Sequence, residues 1–582
     1  MIDAIPLLAE INPGFWVILA GLICALLPIG SLRKAFVIAV PLIAGVLIFQ
    51  LHDPTQAARL GGVLQFGPVE LTTFRLDSLS LIWAYLFCLA GIINGIYGLH
   101  EKCRITDSSA LIYTGAAISG VLAGDMITLF IMWELTAISS VFLIWKGGEQ
   151  AYAAGIRYLA IQVLSGVMLL TGAILHAQAN GGDFTFGAIG LDSPGGWLML
   201  LAMGIKCGFP MLHMWMQDAY PKASITGTVI LASFTTKFAI YALARGFAGE
   251  GILIWVGAIM AIFPIAFAIV ENDLRRILSY SINSQLGFMV AGIGVGSAMA
   301  LNGVAGHVFV NVLAKGLLFM SVGAVMHRVG TAKASELGGL FRSMPFSTGF
   351  ALVGAMTLAA TPLFAGFITK AFILTAVIEE HHYVPFVLLL LGAAGMVGFA
   401  EIKVPYSAFF GRDSGRRVKE APWNMHLAMG IAAFICVYLA WPFGGYAQLY
   451  ALMPFEMKYA YKPYTVDHVA FQLQLLFGVL FAFNLFLRWK RYRAPQRAEV
   501  LDVDWLYRRM GLNVSLWASA MWTRLSAVTR QQRNRFLGTA GRKFYQTFSP
   551  AGAASEATPS GLAAVLTAGL LFIVLMVAYI AR

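Results

Sequence analysis

Charge is what this sequence lacks. Only 12% of its 582 residues are Asp, Glu, Lys or Arg, whereas 59% are hydrophobic and the mean hydropathy is +0.76. A soluble chain carries roughly 25% charged residues, and one of this length needs about two to four domains with polar surfaces. The charges to coat them are missing. That excludes a soluble fold, a disordered chain, a fibrous repeat and, despite a formal net charge of +12, a nucleic-acid-binding domain. Cysteine is scarce as well. Cys24, Cys88, Cys103, Cys207 and Cys436 are scattered, with no CxxC pair, so they imply neither a bridge framework nor a zinc or iron–sulfur site. The opening MIDAIPLLAEINPGFW carries Asp3 and Glu10 where a cleaved signal peptide carries basic residues, so no such peptide is expected.

What is present is a succession of apolar runs. A helix needs about 20 mostly apolar residues to cross a bilayer. Sixteen candidate spans begin near residues 14, 34, 77, 106, 125, 154, 196, 225, 251, 275, 301, 346, 384, 426, 469 and 560. The predicted fold class is therefore an all-α polytopic membrane protein, with longer polar stretches only at 51–76 and 489–558. Of the 40 Lys and Arg, 29 fall on loops that follow odd-numbered spans and 6 on the opposite side. The positive-inside rule assigns the richer side to the cytoplasm. The expectation is a bacterial inner-membrane protein with both termini on the outer, periplasmic side.

The five remaining lysines, Lys206, Lys237, Lys315, Lys370 and Lys403, fall inside spans. Each costs about 2.5–3.5 kcal/mol at a helix centre, so each needs a partner, water or a function. Intramembrane acids are fewer: Glu134 mid-span, Glu401 beside Lys403, and Asp125 near the outer start of the Glu134 helix. One such lysine can be structural, and Lys403, toward the cytoplasmic end of its span, suits that reading best. Five together point to a proton path, because desolvation makes a buried lysine ready to give up its proton as neighbouring charges change. Lys206 lies in GIKCGFPMLHMW, interrupted by Gly208 and Pro210, and Lys370 in ATPLFAGFITKAF, interrupted by Pro362 and Gly366. Paired broken helices mark transport sites. The two are spans 7 and 12, five apart, as an inverted repeat requires.

His213, His307 and His327 are candidate proton carriers beside these lysines. AGIGVGSAMA, with Gly292, Gly294 and Gly296, has no preceding strand and reads as close helix packing, not as a nucleotide loop. His381 and His382 make no convincing metal site. Residues 505–548 interleave Trp505, Leu506, Leu512, Leu516, Trp517, Trp522, Leu525 and Phe536 with Arg and Lys. That pattern predicts an amphipathic helix on the cytoplasmic surface, held by anionic membrane lipid or neighbouring subunits.

Several stretches resemble one family. They are GDMITLFIMWELTAISSVFLI (124–144), GIKCGFPMLHMWMQDAYPKASITGTVILASFTTKFAIYALARGF (204–247), ENDLRRILSYSINSQLGFM (271–289), GHVFVNVLAKGLLFMSVGAVMHRVGT (306–331), LGGLFRSMP (337–345) and ATPLFAGFITK (360–370). In this order they are similar to the proton-translocating antiporter-like family, which includes the large membrane subunits of respiratory complex I and of Mrp cation/proton antiporters. The wording is most like the D-type member of the Mrp antiporters. The resemblance implies a 14-helix core with two inverted five-helix repeats. Expected boundaries are 1–105 (helices 1–3), 106–248 (first repeat), 249–412 (second repeat), 413–490 (helices 14–15), 491–559 (surface segment) and 560–582 (terminal helix).

It also implies roles. Glu134 matches the fifth-helix glutamate and Lys206 the lysine of broken helix 7, an ion pair that modulates lysine protonation. Lys237 matches the eighth-helix lysine, Lys315 the lysine of the following half, and Lys370 the twelfth-helix lysine. His307 matches the first of two upstream histidines, and Arg275 stands where the family often has lysine. Three departures stand out: Asn311 replaces the second histidine, Ala371 the acid after the twelfth-helix lysine, and Gln217 a proline.

The implied function is a proton-translocating subunit of a multisubunit cation/proton antiporter, acting with other membrane subunits on protons and Na⁺ or another cation. The alternatives are a proton-pumping membrane-arm subunit of a complex I-like or membrane-bound hydrogenase enzyme, and an ion-driven partner in an inorganic-carbon uptake complex. The chain has no redox motif of its own and no cofactor or metal site is expected. Na⁺ prefers clustered oxygen ligands, which mid-membrane positions here scarcely provide.

Overall fold

In a computed structural model, the described residues are 10–67, 69–457, 459, 461–488, 502–506, 511–549 and 560–580. They fall into two units, Met1–Val500 and Leu501–Arg582.

A bilayer core holds no water for backbone N–H and C=O groups, so apolar runs satisfy them internally as helices. In the first unit, spans 1–6 are Pro13–Leu26, Gly30–Leu51, Ser78–Tyr97, Arg104–Val121, Met126–Trp145 and Glu149–Ala179. Span 7 is Pro194–Cys207 with Met214–Ala219, and span 8 is Ile225–Ser233 with Thr235–Gly246. Spans 9–11 are Ile252–Val270, Leu274–Val295 and Ala298–Val329. Span 12 is Pro345–Leu358 with Ala365–Glu379, span 13 runs over 383–410, span 14 is Trp423–Tyr438 and span 15 is Val466–Arg488. Among the described residues, nine helices are long and apolar enough to cross a membrane by themselves. The others are shorter, broken or more polar. Spans 8 and 11 are wholly buried, whereas spans 2 and 15 are only 28% and 11% buried over their apolar windows. Spans 8 and 11 are thus the central posts of the unit.

Both expected breaks are present. The first half of span 7 ends at Gly208, left-handed at φ 81°, whose N–H bonds back to Gly204. In span 12 the halves are separated by Ala360 and Leu363, both at positive φ. The second half begins at Ala365, and a Cβ on the next residue, Gly366, would lie 1.8 Å from the Thr357 carbonyl oxygen. The glycines of AGIGVGSAMA do serve helix packing: a Cβ on Gly294 would meet the Ile254 nitrogen of span 9 at 2.5 Å.

Two features depart from expectation. The stretch 51–76 is not simply a loop. Ala58–Phe66 and Val69–Asp77 pair antiparallel, Ala58 opposite Asp77, and Asp77 then caps span 3 through Ser80. Span 8 is interrupted at Phe234 without Gly or Pro.

The second unit holds a 37-residue helix, Leu512–Phe548, and the helix Ser560–Ile580. Trp517 and Trp522 on the long helix are exposed. The remainder of the expected surface segment, 491–501, 507–510 and 550–559, lies outside the described residues.

Candidate functional site

All five intramembrane lysines are buried. Lys206 ends the first half of span 7, where its ammonium donates to the Trp133 carbonyl (2.6 Å) and to Thr136 Oγ1 (3.0 Å), and sits 4.3 Å from the Trp133 ring centroid. Glu134 is on the same helix as these acceptors, yet it does not close the implied ion pair. Its carboxylate leans on Gly166 of span 6, where any Cβ would overlap Oε1, and that oxygen is buried without a hydrogen-bond partner. Lys206 is already satisfied by span 5, so the pair is open here, though within electrostatic reach. Lys237, just past the Phe234 interruption, donates to the freed Ala232 carbonyl at 2.7 Å. It lies within electrostatic reach of Lys315.

The second half is connected. Lys315 of span 11 lies 3.6 Å from Glu401 of span 13, both fully buried. Its ammonium donates to Ser281 Oγ, and Ser281 donates to Glu401 Oε1 at 2.9 Å. Gln285, one turn on, donates to the same oxygen (3.4 Å) and accepts from His307 Nε2 (3.1 Å). His307 Nδ1 meets Thr369 Oγ1 at 3.0 Å. Thr369 adjoins Lys370, whose ammonium donates to Leu358 O at the break (2.6 Å) and faces the Phe288 ring. Four spans thus contribute to one buried chain from Lys315 to Lys370. Ser281, Gln285 and Thr369 escaped the sequence reading, although Ser281 and Gln285 are four residues apart and so share a helix face.

The other candidates fare differently. Glu401 and Lys403 are sequence neighbours but not partners, because residues two apart on a helix point opposite ways. Lys403 instead caps span 9, donating to the carbonyls of Ala268 (2.8 Å), Ile269 (2.9 Å) and Glu271 (2.9 Å). Asp125 is the N-cap of span 5, accepting from Thr128 N (2.7 Å) and Oγ1 (2.8 Å). Arg275 ties the loop before span 8, through the carbonyls of Ala223 and Pro221 and Thr228 Oγ1. His327 is exposed in the last turn of span 11 against His100, about 18 Å along the helix from Lys315. His213 is buried with its ring 4.5 Å from that of Phe263.

Hydrogen bonds to a charged group contribute about 1.5–3 kcal/mol. Lys403→Met is therefore expected to lower thermal stability by about 2 kcal/mol, with proton transport per assembled complex near wild type. Lost transport at unchanged stability would contradict the capping role.

The arrangement gathers titratable side chains at membrane depth, and comparisons with known proteins show what the chain is similar to. The family described as NADH:quinone oxidoreductase/Mrp antiporter, transmembrane, matches residues 123–396. The match covers somewhat less than half of the chain. The D component of the Na(+)/H(+) antiporter of Bacillus subtilis (strain 168) is 26% identical over 412 residues, 66% of this chain and 81% of that one. The fold is shared with a chain of the Mrp complex from Dietzia sp. DQ12-45-1b, at TM-score 0.68, 20% identity, 76% of this chain and 96% of that. It is also shared with a chain of the membrane-bound sulfane sulfur reductase, an archaeal respiratory membrane complex, at TM-score 0.70, 20% identity, 97% and 99%. This is a membrane subunit of the antiporter and complex I-like kind. The departures from the family pattern are visible in the geometry. Asn311, four residues from both His307 and Lys315, is buried with neither side-chain polar atom bonded, and Gln217 is likewise.

Proposed function

We propose that this chain is the proton-translocating subunit of a multisubunit cation/proton antiporter, passing protons along its mid-membrane lysines. The observation that carries the reading is the buried chain from Lys315 through Ser281, Glu401, Gln285, His307 and Thr369 to Lys370. A desolvated ammonium holds its proton while a carboxylate is close and yields it when the carboxylate withdraws. Glu401 acts so on Lys315, and Glu134 on Lys206. Lys237 stands between the halves, and a proton arriving there favours release from Lys315 by like-charge repulsion. Water supplies the remaining links, since the unbonded buried atoms of Glu134, Gln217 and Asn311 need partners and buried water provides them.

Proton uptake by vesicles holding the purified complex tests the reading. Uptake that requires Na⁺ or another cation, and disappears in Lys370→Ala, supports antiport. Uptake indifferent to cations but dependent on electron transfer in partner subunits overturns it in favour of the membrane arm of a redox enzyme.

In this reading the chain lies in a bacterial inner membrane, with its Lys- and Arg-rich loops cytoplasmic and both termini outside. A tag fused after Arg582 is expected to be reached from outside, and one inserted at Gly415 only from the cytoplasm. Cytoplasmic labelling of both tags would contradict this orientation.

A further inference from the structure

A cavity of about 160 Å³ lies between spans 12, 13 and 15, with Lys370 in its wall. A buried water needs about 10–15 Å³ of such space, so several fit. From Ala359 and Val397 at its inner end, the lining follows span 12 to Ile378, one residue short of that helix's last residue, Glu379. Along span 13 it reaches Phe386, in the first turn. Those helix ends lie on the side opposite the basic loops, so the cavity leads from Lys370 toward the outer surface. Its polar lining is Lys370, Thr375, His468 and Gln472, the last two from span 15.

Packing fixes both span 15 groups. Gln472 donates to the Ala359 carbonyl at 3.0 Å, next to the Leu358 carbonyl that anchors Lys370. One turn away, the His468 ring stacks on Phe367 with centroids 4.4 Å apart and planes 17° from parallel. His468 Nδ1 is 2.7 Å from the Pro463 carbonyl oxygen. A carbonyl only accepts, so Nδ1 carries the hydrogen and Nε2 keeps a lone pair. The titratable groups around this ring are Lys370 of span 12, Tyr461 and Tyr464 of the preceding loop, and the adjacent Asp467.

We propose that this cavity is the outward mouth of the proton path, and that His468 exchanges protons between Lys370 and the outer water. The proposal rests on the lysine relay described above. In the outward step an N–H bond of the Lys370 ammonium breaks, cavity water passes the proton on, and an N–H bond forms at His468 Nε2. The imidazolium then releases that proton to outer water and returns to its Nδ1–H form. Lys370 is left neutral, ready for the next proton from the relay.

Proton uptake by the assembled complex tests it. A positioned acid–base group contributes about 10²–10⁴-fold, so His468→Ala is expected to lower uptake by about 10²-fold, with partial recovery when imidazole is added on the outer side. Recovery separates proton transfer from a merely structural stack. Thr375→Cys, on the cavity wall, is expected to react with a membrane-impermeant thiol reagent supplied from outside, and the reaction to block transport. Wild-type uptake in His468→Ala, with Lys370→Ala inactive, would overturn the mouth and leave the relay standing. Wild-type uptake in both would overturn the relay itself. If His468→Ala fails to assemble, the Thr375→Cys reaction decides: labelling only from the cytoplasmic side, or none, overturns the proposal.

Discussion

Glu401→Gln is expected to lower coupled proton uptake by about two orders of magnitude in a complex that still assembles, the range of a positioned proton-transfer group. Glu401 is the only carboxylate, among the described residues, within ion-pair distance of Lys315. It also gathers Ser281 and Gln285 on one oxygen, so the amide keeps the shape and removes the charge that holds the Lys315 proton. Lys315→Met should fail equally. The pair also has a structural side, because removing one partner of a buried ion pair costs about 3–5 kcal/mol whereas replacing both is often neutral. The double variant Lys315→Met with Glu401→Gln is therefore expected to regain thermal stability without regaining transport. Recovery of both together would reduce the pair to a structural bridge. Uptake by Glu401→Gln and thermal melting of all three variants check this.

The second large effect belongs to Glu134 and Lys206. Their separation in this structure, with Glu134 against Gly166 and Lys206 against Trp133 and Thr136, is what an opened switch looks like. One pKa unit corresponds to about 1.4 kcal/mol, so closing or opening a buried pair shifts the lysine's proton affinity strongly. Glu134→Gln and Lys206→Ala are each expected to abolish most coupled proton uptake with assembly intact. Asp125→Asn keeps a cap acceptor for Thr128 and is expected to stay near wild type. Near-normal uptake in assembled Glu134→Gln would falsify the switch.

The sequence made the spans legible because hydrocarbon tolerates so few backbone solutions: an apolar run of sufficient length is a helix. The lysines were legible for the same reason, since charge inside such a run is expensive. Glycine and proline announced the breaks at Gly208 and Pro362, whereas Phe234 carries no breaker chemistry and its interruption comes from tertiary packing. The hairpin at 58–77 was hidden by polar residues that read as loop. Direction around a helix was the larger omission. Glu401 and Lys403 look like neighbours in the string, but their helix sends one to Lys315 and the other to the carbonyls of span 9. Ser281, Gln285 and Thr369 carry no charge, so nothing in their identity separates a proton link from an ordinary buried hydroxyl or amide. Only contacts among four spans reveal it.

In the proposed relay Lys237 joins the two halves; it lies within electrostatic reach of Lys315, and its ammonium rests on a single carbonyl. Proton uptake by vesicles containing the assembled complex with Lys237→Met is the most direct measurement of whether protons run along this axis. The expected result is a fall to about a hundredth of the wild-type rate, with complex composition unchanged. Uptake at the wild-type rate would mean that protons cross without passing through the lysine chain.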